Sequence, residues 1–178
     1  MISQAQHDSL RAKYSPDGSL LRRQQERMLE ILCEIDRVCK KHSISYWLSS
    51  GTLIGAARHG GFIPWDDDLD IEMMREDYDR LMKVLPGELP STMALQTHET
   101  DPTYFFYYAK IRDRRSLLAE GNKYDRMWKE QGIYIDIFPL ERQPLCIHKI
   151  SENTVGHMYK IWRTCTDDKV GIKKVMRW

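Results

Sequence analysis

Asp66, Asp67, Asp68 and Asp70 place four carboxylates within five residues, and Ile63, Trp65, Leu69 and Ile71 flank them with apolar side chains. A fold that brings those neighbours to a core holds part of the acid cluster beside it. There like charges repel and the charged forms are poorly solvated. A divalent cation is the simplest relief. In a strand beginning near Asp68, residues two apart share a face, so Asp68 and Asp70 would present oxygen ligands side by side. Oxygen-only ligation favours Mg²⁺, with Mn²⁺ as the alternative, over zinc. Mg²⁺ commonly takes one or two carboxylates together with substrate phosphates. A solvated acidic loop is the plainer reading of a charge run. The apolar frame counts against it, and so does Asp136, set between Ile135 and Ile137, where a buried carboxylate needs a partner.

Around the cluster, helix and strand patterns mix without a regular βαβ alternation. Apolar residues over 19–41 recur at three- and four-residue spacing, which predicts an amphipathic helix capped by Ser19. Residues 45–48, 69–74, 93–97, 104–111, 116–119 and 132–140 read as strands. Residues 51–58 read as a short helix, 75–84 as a helix that Pro86 and Gly87 end, and 151–178 as helical. The predicted class is α+β, a mixed sheet flanked by helices. The length suits one domain over 1–178.

Lys+Arg and Asp+Glu number 27 and 26, a balance that argues against nucleic acid as a partner. Residues 1–13 carry no apolar signal-peptide core, and no run approaches the ~18 apolar residues of a membrane span. Cys33, Cys39, Cys146 and Cys165 form no Cys-x-x-Cys pair, which disfavours zinc. A soluble, cytoplasmic chain is expected.

Upstream of the acids, Ser49-Ser50-Gly51-Thr52 leaves a strand and enters a helix. Such a small-residue turn lets backbone N–H groups approach a phosphate. Gly51-Thr52, then Asp68-Leu69-Asp70, then Asp136 on a later strand resembles the active-site pattern of polymerase-beta-like nucleotidyltransferases. More narrowly, the run from Tyr46 to Ile71 and the later Ile135-Asp136-Ile137-Phe138-Pro139-Leu140 are similar to the two motifs of the LicD family of phosphocholine transferases, which is related to the fukutin-type phosphoribitol transferases.

The resemblance implies a nucleotidyltransferase fold, a divalent metal and a CDP-linked donor such as CDP-choline. Phosphocholine or a related phospho-alcohol would pass to a hydroxyl of a cell-surface glycan or its lipid-linked precursor. Asp68 and Asp70 fall at metal positions, Asp66 at a position that is acidic in the family, and Asp136 at the third carboxylate, as general base or as metal ligand. Ser50, Gly51 and Thr52 would meet the donor phosphates. The cell envelope is the implied setting, with peripheral association at the inner face of the membrane left open. LicD-like chains run longer than this one, so C-terminal segments of the domain are expected to be missing or shortened.

Lys110 and Arg112 alternate with Ile111 and could clamp donor phosphates, and Lys110 sits where LicD-like proteins carry a lysine. Arg58 and His59 lie between the glycine turn and the acids, where they could touch substrate or pair with Asp66 or Asp67. The rings of residues 104–108 could face a quaternary ammonium, although strand packing is the default. Two alternatives stand beside the transferase reading. One is a nucleotidyltransferase that moves a nucleoside monophosphate; the other is an inactive binding module of the same fold.

Overall fold

The computed structural model describes residues 3–119, 121, 125–142 and 154. The chain divides into two compact units, Met1–Leu140 and Glu141–Trp178. The first contains four helices and a five-stranded mixed sheet among the described residues. The α+β class is therefore observed. The helix expected over 151–178 lies outside the described residues except for Thr154, which is helical.

Helix α1 (Gln4–Tyr14) has no apolar stripe and no buried residue, which is why periodicity misses it. A reciprocal cap starts it: Ser3 Oγ accepts from Gln6 N, and Gln6 Oε1 accepts from Ser3 N. Helix α2 (Leu20–His42) follows the expected pattern, with Ser19 Oγ accepting from Arg22 N and Met28, Ile31, Ile35 and Val38 buried on one face. Its end turns at Ser43, which is left-handed at φ 52°.

The strands are β1 (Trp47–Leu48), β2 (Asp70–Met74), β3 (Met93–Gln96), β4 (Ala109–Asp113) and β5 (Tyr134–Leu140), in the spatial order β1-β2-β5-β4-β3. β2 and β5 run parallel, and the other neighbours are antiparallel. Ile71, Met73, Ala109, Ile111, Ile135 and Ile137 supply the sheet's part of the core, against α2 and α4 (Arg75–Glu88). The alternate residues Asp70, Glu72, Tyr134 and Phe138 are half-buried on the opposite face, as a period of two requires.

Three expectations need correction. Helix α4 runs through Pro86 and Gly87 to Glu88. Leu89 N still closes the last turn on Leu85 O, and Glu88 is tied to α2 by Arg37, Lys41 and His42. The proline's missing N–H is therefore outweighed by tertiary contacts. Residues 104–108 are not strand: Tyr104, Phe105 and Phe106 gather around Trp128 with ring centroids 5.9–6.3 Å from it, and Tyr108 packs on Phe138 at 4.5 Å. Among the described residues, 116–119 contribute one backbone–backbone bond, Leu118 N to Gln131 O, and no ladder.

Candidate active site

Strand register brings the distant acids together. Asp70 at the start of β2 pairs with Asp136 in β5, and Asp136 pairs with Lys110 in β4. The two carboxylates and the ammonium thus occupy one row across three adjacent strands. Lys110 Nζ donates to Asp136 Oδ1 at 2.6 Å, and both side chains are nearly buried. The ammonium also rests 3.4 Å from the Tyr134 ring centroid, a face that favours a cation.

The serine–glycine turn is stitched to the same strand. Ser49 N donates to Asp70 O, and Thr52 Oγ1 accepts from Asp70 N at 2.9 Å. Helix α3 (Ser50–His59) therefore starts directly beside Asp70. Ser50 has a φ of 48°, uncommon for a residue with a side chain, and turns the chain sharply between β1 and α3. Glu72, two residues after Asp70, accepts from Ser49 Oγ at 2.5 Å and from Trp47 Nε1 at 3.2 Å. Helix α2 holds the acid loop from behind: Gln25 Nε2 donates to Asp66 O and Gln24 Nε2 to Asp67 O.

Asp66 reaches toward α3 over Gly51, where a Cβ would stand 2.8 Å from Asp66 Oδ2. That oxygen is buried and has no hydrogen-bond partner among the described residues. Burial, with Asp68 and Asp67 nearby, pushes the Asp66 pKa up to about 6. Asp70 is also pushed up to about 6, by burial first and then by Asp68 and Asp136, with Lys110 opposing. An orphaned carboxylate oxygen and two acids resisting ionisation fit a site built for an added cation. Among the described residues no three His, Cys, Asp or Glu side chains are gathered closely enough to hold an ion by themselves.

Residues 43–164 match the family model described as LicD/FKTN/FKRP, nucleotidyltransferase domain. The chain belongs to this family. The lipopolysaccharide cholinephosphotransferase LicD of Haemophilus influenzae is 38% identical over 125 residues, 70% of this chain and 45% of that protein. An uncharacterised Rickettsia prowazekii protein is 46% identical over 59 residues, 33% of this chain and 22% of its own. Human ribitol 5-phosphate transferase FKRP is 50% identical over 40 residues, 22% of this chain and 8% of its own. The chain thus spans less than half the length of these curated relatives.

Against this LicD-family background, the structure sorts the residues singled out from sequence. It brings Asp66, Asp70, Asp136, Lys110 and the Ser50–Thr52 turn to one place. Asp68 corrects the strand expectation: it is exposed and precedes β2, which begins at Asp70, so Asp70's neighbour in the sheet is Asp136. Arg58 and His59 end α3, about 12 Å along its axis from the Ser50 turn. His59 packs on His7 and Trp65, with ring centroids 5.5 and 6.2 Å away. Arg112 is buried, donating to Gln96 Oε1 at 2.6 Å and Gly132 O at 2.9 Å. Its Nε and Nη1 are thereby engaged by the fold, and the side chain is turned away from solvent. Sequence reasoning missed Glu72 and Tyr134, although alternation from Asp70 and Asp136 put both on the site's face.

Proposed function

We propose that this chain transfers phosphocholine or a related phospho-alcohol from a CDP-linked donor to a hydroxyl of a cell-envelope glycan or its lipid-linked precursor. The observation that carries this reading is the Asp70–Asp136–Lys110 row beside the orphaned Asp66 oxygen. In this reading Asp66, Asp68 and Asp70 would hold Mg²⁺ (or Mn²⁺) only together with donor phosphate oxygens, since no three of the described side chains close a shell alone. The bound ion supplies neutralisation of the donor phosphates and of the departing cytidylate.

The chain's own groups do the rest. Phosphoryl-group transfer demands positioning and charge stabilisation more than covalent chemistry. Backbone N–H groups at the Ser50–Gly51–Thr52 start of α3 receive donor phosphate oxygens. Lys110 supplies a fixed positive charge at the same place. Asp136, held by Lys110, takes the acceptor hydroxyl's proton as the bond to phosphorus forms. Among the described residues no helix is long and apolar enough to cross a membrane. The reading has the domain working at the inner face of a membrane, where a lipid-linked acceptor is reached peripherally.

The test is CMP release from CDP-choline with Mg²⁺ and a glycan acceptor, comparing the parent with Asp70→Asn. Metal-dependent release that Asp70→Asn lowers at least a hundredfold supports phospho-alcohol transfer. Cytidine label retained in the product would instead mean nucleotidyl transfer. No release from any CDP-alcohol would favour a binding module.

A further inference from the structure

Among the described residues three helices start after a serine, and two of them use it as a cap. Ser3 Oγ accepts from Gln6 N at the start of α1, and Ser19 Oγ accepts from Arg22 N at the start of α2. In each case the hydroxyl serves an amide three residues on, one of the first-turn groups that have no partner within a helix. Ser49 holds the same place before α3, in extended backbone with φ −120° and ψ 166°. The counterpart amide is that of Thr52, yet no side chain caps this helix among the described residues. Thr52 offers no substitute, since its own hydroxyl accepts from Asp70 N.

Glu72 accounts for the difference. A carboxylate accepts and does not donate, so the 2.5 Å bond between Ser49 Oγ and Glu72 Oε1 is one that the serine donates. Ser49 Oγ is then left to accept, and Ser50 Oγ lies 3.3 Å from it. The chain Ser50–Ser49–Glu72 thus ends on the residue whose left-handed φ of 48° turns the backbone into α3. From its other side Glu72 is fixed by Trp47 Nε1 at 3.2 Å, across the register of β1 and β2. Ser49 is 6% exposed, which leaves its hydroxyl little water to turn to. The first turn of α3 is left uncapped where it meets Asp70 and Asp66.

We propose that Glu72 is a positioning residue that draws the Ser49 hydroxyl away from α3 and so keeps the Gly51 and Thr52 amides open to phosphate oxygens. This deepens the transferase reading and rests on it. The sign of the effect sets it apart. A carboxylate beside an anion site weakens that site by Coulomb repulsion, so on charge alone removing Glu72 tightens phosphate binding. If Glu72 holds Ser49, its removal lets the serine cap α3, and binding weakens instead.

The experiment measures binding of inorganic pyrophosphate, with Mg²⁺, to the full chain by calorimetry. Hydrogen exchange of the Gly51 and Thr52 amides is followed in the ligand-free chain, and CMP release from CDP-choline in parallel. Glu72→Ala is expected to bind pyrophosphate roughly two- to thirtyfold more weakly, the range that a serine cap corresponds to. Exchange at Gly51 or Thr52 should slow in the same variant. Glu72→Gln keeps an acceptor for Ser49 without the charge, and should bind at least as well as the parent. In a Ser49→Ala background there is no hydroxyl to divert, so adding Glu72→Ala should cause no further loss. A merely structural role for Glu72 gives the same loss in both backgrounds. Equal losses, or Glu72→Ala binding as tightly as the parent, overturn the proposal, while CMP release by the parent leaves transfer standing. The expected pattern without CMP release from any donor supports the proposal and removes the transfer reading.

Discussion

Lys110 Nζ lies 2.6 Å from Asp136 Oδ1, with the side chains 3% and 12% exposed, and the strand on the far side of Asp136 begins with Asp70. The same ammonium opposes the rise in the Asp70 pKa, so it acts on both adjacent acids. Removing one partner of a buried pair leaves the other charge uncompensated, at a cost of about 3–5 kcal/mol. Lys110→Met should lose that much in chemical denaturation, and Asp136→Asn should also be destabilising. The double variant Lys110→Met/Asp136→Leu should lose clearly less than the sum of its parts. Strict additivity would show that the two do not act as a pair.

Two glycines separate a functional close approach from a structural one. At Gly51 an added Cβ meets the tip of the Asp66 side chain, which can swing aside. Gly51→Ala should stay within about 1 kcal/mol of parental stability while weakening divalent-cation activation about tenfold, or ~1.4 kcal/mol. At Gly132 the Cβ would stand 1.6 Å from the Asp113 carbonyl oxygen, which belongs to the backbone. Gly132→Ala should cost more than the ~1–3 kcal/mol of ordinary overpacking. Thermal melts and metal titrations of both variants check the contrast.

Thr52 links the glycine turn to Asp70 through one hydroxyl, itself 8% exposed. Thr52→Val keeps the shape and strands the Asp70 amide, which should cost about 1–3 kcal/mol. Thr52→Ser should restore most of the loss. If Thr52→Val proves neutral in denaturant melts, the hydroxyl does not hold the start of β2.

Away from the site, Glu88 reports on how α4 is anchored to α2. Its pKa is held down at about 2, below its ordinary 4.5, chiefly by the Lys41 and His42 hydrogen bonds. A depressed carboxylate contributes stability above the unfolded pKa and loses it as pH falls toward the folded one. Glu88→Gln should therefore melt lower than the parent at pH 7, with a gap that begins to close below pH 4.5 and vanishes near pH 2. A gap independent of pH across that window would assign the effect to something other than this charge.

Asp70 and Asp136 were legible because alternation within an apolar frame fixes which face an acid takes. Asp68 was misplaced because nothing in the sequence marks where pairing begins; Asp136 N bonds Leu69 O, and the ladder opens at Asp70. Lys110 and Arg112 look equivalent in sequence. What separates them is Gln96, on the neighbouring strand, which accepts from Arg112 and is itself joined to Asp101. The rings of 104–108 carry the composition of a strand, yet three of them pack on Trp128, some twenty residues later, outside the ladder. Helix α1 was hidden because caps start it and no apolar stripe announces it.

β5 is the last strand of this unit to be made and the central one in space. Until it inserts, β2 and β4 each show an inner edge with unpaired backbone groups, and the two carboxylates have not met. A ribosome-bound chain that has not yet released β5 therefore carries two sticky half-sheets and no assembled centre. Those two edges stay open to wrong partners until β5 arrives to close them.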